Sequence, residues 1–137
     1  MDDLKASLFI AGSGMYAQGT RLRTIAENIA NVDSTAQMPG GDPYQRKLVK
    51  FKNIMDRDLN ANLVRVENIA PDQRSSFKMK FDPSHPAADG DGYVKYPNVS
   101  TLVELMDMRE ANRTYDSNLK VIEAARSMYN QTLSILR

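Results

Sequence analysis

The stretch from Thr101 to Arg137, TLVELMDMREANRTYDSNLKVIEAARSMYNQTLSILR, has the most regular pattern in the chain. Apolar residues recur in it at alternating spacings of three and four, which is typical of a helix that packs along one face. Two positions of this stripe, Asn112 and Arg126, are polar, and they are either solvent-facing interruptions or residues that fix the packing register. The stripe consists of Leu105, Met108, Asn112, Tyr115, Leu119, Ile122, Arg126, Tyr129, Leu133 and Leu136.

A second apolar stripe lies beside the first in the last five turns of the predicted helix. Two adjacent stripes predict contacts with two neighbours, as in a helix bundle rather than a simple dimer. Thr101 and Glu104 have the spacing of a capping box, and Pro97 disfavours an earlier start, so the helix is predicted to begin near Thr101. The second stripe consists of Val121, Ala125, Met128, Thr132 and Ile135.

The predicted C-terminal helix is long for a chain of 137 residues. At about 1.5 Å per residue it extends for roughly 55 Å. A compact domain of this size has a radius of gyration of only about 14 Å. The helix therefore extends beyond any globule that the chain can form, and its exposed apolar stripes predict association with other chains.

A second long helix is predicted at the N-terminus, between Leu4 and Val32. Gly12, Gly14 and Gly19 each cost about 1 kcal/mol relative to alanine inside a helix, so this helix is expected to be marginal unless it packs against another element. Asn28 and Asn31 are expected to cap its end and to set the exit turn. Its apolar stripe consists of Leu4, Leu8, Ala11, Met15, Gln18, Leu22, Ile25, Ile29 and Val32, of which only Gln18 is polar.

The middle of the chain differs from both ends because it is rich in proline and has no sustained helical period. Phe77, Met79 and Phe81 alternate with lysines, which predicts a half-buried strand, and residues 48–51 and 63–66 are weaker strand candidates. The predicted fold class is mainly α with a small β element, in which two long terminal helices form a coiled-coil-like bundle. The predicted boundaries are 1–35 for the N-terminal helix, 36–97 for the loop and β-rich middle segment, and 98–137 for the C-terminal helix.

Charge and composition argue against several classes of function. Eighteen basic and 17 acidic residues give a net charge of +1, so no overall field attracts nucleic acid, and the basic patch at residues 46–52 is interpreted as the solvated face of a strand. No apolar run approaches the roughly 18 residues that span a bilayer, and no cleaved signal peptide is expected. The absence of cysteine excludes disulfides and thiolate metal sites.

No catalytic, cofactor-binding or metal-binding residues are predicted. His85 is the only histidine, and it lies between prolines without the partners of a hydrolase triad. Asp82, Asp89 and Asp91 lie near glycines, but they lack the register and the terminal glutamate of a calcium-binding EF-hand loop. An enzyme that uses His85 or this aspartate loop is therefore a weak alternative.

Several motifs resemble those of the flagellar axial proteins. Ser13-Gly14-Met15, Ala17-Gln18, Arg21-Leu22 and above all Asn28-Ile29-Ala30-Asn31 are similar to the N-terminal motif of that family. Further motifs resemble the proximal-rod subunit within the family and cover nearly the whole chain. These are residues 43–47, Asp82-Pro83 with His85-Pro86, the block Gly-Tyr-Val-Lys-Tyr-Pro-Asn-Val at 92–99, and Met108 with Ala111, Arg113, Tyr115 and Asn118.

The resemblance implies a structural subunit of the flagellar basal-body rod, which spans the periplasm. It implies delivery through the flagellar type III export apparatus without signal cleavage, and terminal helices that are disordered before assembly and then form the inner tube. The expected partners are other copies of the chain and other rod proteins, with the MS-ring and hook-side rod components as further neighbours. A free-standing cytoplasmic coiled-coil adaptor or secretion chaperone is the alternative.

The two helical patterns and the family motif together predict a set of subunit-interface residues. On the N-terminal helix these are Leu8, Met15, Leu22, Ile25, Asn28, Ile29 and Asn31. On the C-terminal helix they are Leu105, Met108, Asn112, Tyr115, Leu119, Ile122, Met128, Tyr129, Leu133 and Leu136.

Overall fold

Along the chain, one long helix is followed by four strands and then by a second long helix. A computed structural model describes residues 2–135, apart from the side chain of Asp2. Helix α1 spans Asp2–Ala30 and helix α2 spans Thr101–Ile135. The strands are β1 (Lys47–Asp56), β2 (Ala61–Pro71), β3 (Lys78–Phe81) and β4 (Tyr93–Tyr96). The predicted fold class, mainly α with a small β element, is confirmed.

The four strands form two separate two-stranded sheets. Strands β1 and β2 are joined by a four-residue turn, so they form an antiparallel hairpin, and Asn60 at the end of the turn has a φ of 47°. Strands β3 and β4 are antiparallel, with Phe81 opposite Tyr93 and Met79 opposite Lys95. The three predicted strand segments are confirmed, whereas β4 was not predicted.

Helix α1 ends at a side-chain cap. The Asn31 amide donates a hydrogen bond to the Glu27 carbonyl at 2.8 Å, and its oxygen accepts one from the Ser34 hydroxyl at 3.0 Å. The Glu27 carbonyl also accepts a hydrogen bond from the backbone amide of Asn31 at 3.1 Å, so the side chain reinforces the last turn of the helix and holds the turn that follows. The prediction that Asn31 closes this helix is confirmed.

The chain divides into two units, each with its own internal contacts. The hairpin unit is the described part of Met1–Leu22, Val49–Asn68 and Met108–Arg137. The sheet unit is Arg23–Leu48 and Ile69–Asp107, and it contains β3 and β4. Within residues 2–135, neither helix has an apolar stretch long enough to cross a membrane.

The two helices approach closely inside the hairpin unit because small residues line the contact. A Cβ atom on Gly14 would lie only 2.7 Å from Nδ2 of Asn118, so α1 meets α2 there through bare backbone. The fully buried apolar residues described in this unit are all alanines, at positions 11, 17, 111 and 125. The larger apolar side chains of the unit are half-buried or exposed.

Candidate functional site

The last turns of α2 are not covered by the rest of the chain. All ten residues from 126 to 135, the last ones that the structure describes, are exposed. Four of them are large and apolar, and Ile135 is 83% exposed. These residues belong to both predicted stripes, and exposed apolar patches of this kind are typical of association surfaces. Its apolar residues are Met128, Tyr129, Leu133 and Ile135.

A different line of residues faces the interior of the chain along α2. Ala111 and Ala125 are fully buried and lie fourteen residues apart, with half-buried Asn118 midway between them. The first predicted stripe lies at the edge of this contact and not at its centre. Most of its apolar side chains that the structure describes are therefore exposed. Because Gly14 has no side chain, the Asn118 side chain can lie directly against the backbone of α1 at the centre of this contact.

The structure places the predicted interface residues in three environments. Leu136 lies outside the described residues. The others keep their interface role as a prediction, because a single chain gives only their exposure. Ile25 and Asn28 are buried; Leu8, Met15, Leu22, Ile29, Asn31, Met108, Tyr115 and Ile122 are half-buried; Leu105, Asn112, Leu119, Met128, Tyr129 and Leu133 are exposed.

A group of buried and half-buried polar side chains lies in the sheet unit. We call it the polar cluster. It joins the end of α1, the start of α2 and the segments next to β1 and β2. Charged and amide groups remain buried in proteins only when their hydrogen-bonding capacity is satisfied. Its members are Asn28, Tyr44, Arg46, Asp72, Asn98 and Glu104.

An ion pair between Arg46 and Glu104 lies at the centre of the polar cluster. The carboxylate of Glu104 is 0% exposed and accepts a hydrogen bond from Nε of Arg46 at 2.5 Å. The same guanidinium lies 3.4 Å from Asp107 and 3.7 Å from Asp72. Three carboxylates therefore surround one guanidinium, which compensates its removal from water.

Asn28 uses its whole side-chain amide within the polar cluster. Its nitrogen donates to the Lys47 carbonyl at 2.9 Å and to Oε2 of Glu104 at 3.1 Å. Its oxygen accepts from the Lys47 amide and from the Tyr44 hydroxyl, both at 2.9 Å. The prediction that Asn28 caps its own helix is wrong, because the side chain binds the chain at the start of β1 instead.

Asn98 and Asp72 extend the polar cluster through backbone groups. The Asn98 oxygen accepts from the Arg46 amide at 2.7 Å, and its nitrogen donates to the carbonyls of Asp72 and Ser75 at 3.1 and 3.0 Å. Hydrogen bonds from the Arg74 amide and the Ser75 hydroxyl hold the pKa of Asp72 below its usual value. Asp72 therefore stays ionised beside Arg46.

Tyr44 lies at the edge of the polar cluster and is kept neutral. Burial, together with the negative charges of Glu27 and Glu104, raises the pKa of Tyr44 to about 12. The neutral phenol can donate its proton to Asn28, whereas a phenolate could not. The fold and the protonated form of Tyr44 therefore support each other.

The sequence analysis missed the polar cluster for identifiable reasons. Glu104 was assigned to a capping box, and although α2 begins at Thr101 as predicted, the Glu104 carboxylate is bonded to Arg46 and Asn28 instead. Arg46 was assigned to a solvated strand face. One signal could have found Glu104: it lies seven residues before Ala111, on the face of α2 that the chain buries.

The sheet of β3 and β4 exposes its apolar face. This corrects the interpretation of β3 as a half-buried strand whose apolar residues face the interior. Phe81 is 62% exposed, Met79 is exposed as well, and Phe81 meets Tyr93 edge to face at 5.3 Å. The opposite face carries Val94, which is 0% exposed. All four residues of β3 are exposed, and on the side of Val94 the Lys78 Nζ donates a hydrogen bond to the Val99 carbonyl at 2.6 Å.

The residues considered for catalysis stabilise turns. Nδ1 of His85 accepts a hydrogen bond from the Ala87 amide at 3.1 Å. Asp82 accepts from Ser84, and Asp89 accepts from the amides of Asp91 and Tyr93. Within residues 2–135, no three His, Cys, Asp or Glu side chains lie close enough together to hold a metal ion.

Two protein-family models match this chain, one at each end. The model described as "Flagella basal body rod protein" matches residues 8–36, which cover most of α1 and its exit. The model described as "Flagellar basal body rod FlgEFG protein C-terminal" matches residues 91–135, which cover β4, the end of the polar cluster and α2. The second match includes the exposed apolar residues at the end of α2.

Curated relatives match the chain from end to end. A protein of Agrobacterium fabrum is 48% identical over 137 residues, which covers 100% of this chain and 98% of the relative. A protein of Borreliella burgdorferi is 36% identical, covering 98% of each chain, and one of Salmonella typhimurium is 36% identical, covering 92% of each. All three are named flagellar basal-body rod protein FlgC. This chain therefore belongs to the flagellar basal-body rod protein FlgC family.

Proposed function

We propose that this chain is a structural subunit of the proximal part of the bacterial flagellar basal-body rod. It assembles with other rod proteins into a helical shaft that transmits motor torque to the hook. The subunit performs no chemistry. Its function is mechanical, and it depends on how firmly its helices pack against those of its neighbours.

The single observation that carries this proposal is the uncovered apolar surface of the hairpin unit. The last ten described residues of α2 are all exposed, including four large apolar side chains. A stripe of this kind is costly in water at roughly 25 cal/mol per Å² of apolar surface, and burial against a neighbouring subunit recovers that free energy. Torque is then shared among many such contacts acting in parallel.

The sheet unit supplies the rigidity that a torque-bearing subunit needs. Its polar cluster fixes the end of α1 to the start of α2 through Asn28 and Glu104. Buried hydrogen-bonded networks specify one arrangement, because any displacement leaves charged groups without partners. The unit therefore presents its surface in one defined geometry.

The proposal extends to delivery, location and partners. We expect the chain to pass through the flagellar type III export apparatus without signal cleavage and to assemble where the rod spans the periplasm. Segments 1–35 and 98–137 form the tube, and segment 36–97 lies outside it. Its neighbours are copies of itself and other rod proteins, with MS-ring and hook-side rod components at the two ends.

A charged substitution at the exposed apolar stripe tests the proposed assembly surface. Leu133 is exposed, so Leu133→Asp should leave the monomer folded while preventing incorporation into rods, because a carboxylate cannot be buried in the interface without a partner. The readout is the amount of the chain in basal bodies purified from cells that lack the natural copy. Asn130→Asp is the matched control, since it adds the same charge at an exposed polar position.

The result separates the proposal from the cytoplasmic adaptor. Rods that contain Leu133→Asp at the level of the control would refute a role for the stripe in assembly. The location is measured on the unchanged chain, by mass spectrometry of stripped rods and of the soluble cytoplasmic fraction. Enrichment in rods supports a rod subunit, whereas confinement to the cytoplasm would favour the adaptor or secretion chaperone.

A further inference from the structure

An apolar groove of about 800 Å³ opens on the hairpin unit. One wall is the α1 face that carries Phe9 and Tyr16, seven residues apart, and Tyr16 is 74% exposed. Leu63 of β2 and Ile122 of α2 contribute further apolar surface. The groove is therefore built entirely from elements of one unit, and its aromatic side chains are open to solvent.

The floor of the groove is preformed and open. A Cβ atom added to Gly12 would find no atom within 4 Å, so a side chain from outside can approach the backbone of α1 there. Ser13 fixes the rim, because its hydroxyl accepts a hydrogen bond from the Val64 amide at 3.2 Å and donates to the Ile10 carbonyl at 2.8 Å. A ligand would thus meet a surface that needs little rearrangement.

Two arginines line the groove without acidic partners. Within residues 2–135, neither Arg65 nor Arg126 forms an ion pair or a side-chain hydrogen bond, and no acidic residue lines the groove. Guanidinium groups at the rim of an apolar surface favour a partner that brings carboxylates to them. The chemistry of the groove selects an apolar side chain flanked by acids.

Helix α2 carries residues with this chemistry that do not line the groove. Asp116, Leu119 and Glu123 are spaced by three and four residues, so they share one face of the helix. Leu119 is 39% exposed, and neither acid has an ion-pair partner among the described residues. None of the three lines the groove of its own chain.

We infer that the groove of one copy binds the Asp116–Leu119–Glu123 face of α2 from a second copy. Leu119 enters the groove, and the two carboxylates pair with Arg65 and Arg126. Each copy uses a different set of residues for each of its two neighbours, and such head-to-tail contacts build a ring or an open helix rather than a closed dimer. The inference rests on the proposed function, because it names one contact within the rod.

Cysteine cross-linking tests the contact directly, since the chain contains no cysteine of its own. Cells would produce two versions of the chain together, one with Tyr16→Cys and one with Leu119→Cys, and purified basal bodies would be oxidised. We expect a covalent dimer of this chain at about twice its mass of 15.4 kDa. Neither version alone should give it, and Lys120→Cys in place of Leu119→Cys is the matched control, because neighbouring residues point about 100° apart around an α-helix.

Charge reversal provides a second measurement. Arg65→Glu with Arg126→Glu should lower incorporation into rods at least about tenfold, because like charges then face each other. Adding Asp116→Arg and Glu123→Arg to the same chain should restore incorporation. Both arginines are exposed, so the folding of the variants can be checked on the monomer by circular dichroism.

Several outcomes would overturn the inference while leaving the proposed function intact. These are normal incorporation after charge reversal, failure of the compensating changes to restore it, and the absence of the dimer from rods that contain both versions. A cross-link to a different rod protein would assign the groove to that protein instead. Absence of the unchanged chain from rods would instead contradict the proposed function itself.

Discussion

The two units of the chain bury different kinds of side chain. The sheet unit buries Ile25, Val94 and Val99 together with the polar cluster, whereas the fully buried apolar residues described in the hairpin unit are alanines. Large apolar side chains of the hairpin unit remain at its surface. Contacts within the chain therefore bury large side chains of the sheet unit. In the hairpin unit, small residues form the buried contact, and the larger apolar side chains remain available to partners.

Two side-chain amides of α1 show the same difference. Asn28, in the sheet unit, makes four hydrogen bonds with its amide. Gln18, in the hairpin unit, has a buried Oε1 with no hydrogen-bond partner among the described residues. A buried acceptor without a partner costs about 1–3 kcal/mol. Burial of the side-chain amide is therefore fully compensated at Asn28 and only partly compensated at Gln18.

The largest expected effect is the loss of Glu104 from the sheet unit. Glu104→Leu should lower the free energy of unfolding by about 3 kcal/mol, because Arg46 and Asn28 lose their buried acceptor. Urea unfolding followed by circular dichroism measures this. Glu110→Leu is the control on the same helix, and its exposed carboxylate should matter by less than about 1 kcal/mol. Equal effects would contradict a central role for the polar cluster.

A smaller loss is expected from the asparagine that joins α1 to β1. Asn28→Ala should cost about 2 kcal/mol, because the Lys47 amide and carbonyl lose their partner. Asn31→Ala removes a helix cap and should cost about 1 kcal/mol. The same urea titration ranks the two variants. A larger effect at Asn31 would show that the end of the helix matters more than the cluster.

Alkaline pH should loosen the sheet unit through Tyr44. The pKa of Tyr44 is about 12 in the fold and 10.0 without its environment, so the folded chain holds this proton more tightly. The stabilisation is therefore complete below pH 10 and is lost as pH rises toward 12. In a titration monitored by tyrosinate absorbance, one of the six tyrosines should ionise late, and Tyr44→Phe should remove that step. A late step that persists in the variant would refute the assignment.

The smallest effect is expected at the exposed end of the hairpin unit. Met128→Ser should change the free energy of unfolding of the monomer by less than about 0.5 kcal/mol, because the side chain is already half in water. The same urea titration measures it. A loss above about 1 kcal/mol would mean that the chain itself covers this residue, which would weaken the contrast between the units.

Helical and strand periodicity allowed the main elements to be predicted from the sequence. The apolar stripes predicted both helices because a period of 3.6 residues persists for many turns. Alternation of apolar and polar residues predicted β3 because its two faces differ in polarity. Alternation shows only that two faces differ, and it does not show which one is buried. In β3 the Lys78 Nζ donates to the Val99 carbonyl and Lys80 lies 5.6 Å from the ring of Tyr96, whereas Met79 and Phe81 on the opposite face are exposed.

The polar cluster could not be predicted in the same way. Its members come from positions as far apart as Asn28 and Glu104, and no local period links them. The sequence placed Arg46 beside other basic residues, which made a solvated surface the better interpretation. Strand β4 was missed because Tyr93–Tyr96 is short and follows a glycine-rich turn. In each case long-range contacts decided the outcome.

The most direct test of this account compares hydrogen exchange in the purified monomer and in assembled rods. We predict that amides at residues 101–107, beside the polar cluster, exchange slowly in both states, because contacts within the chain protect them. Amides at residues 126–135 should exchange rapidly in the monomer and slowly in rods. Equal protection of residues 126–135 in both states would contradict the claim that neighbouring subunits complete this end of the chain.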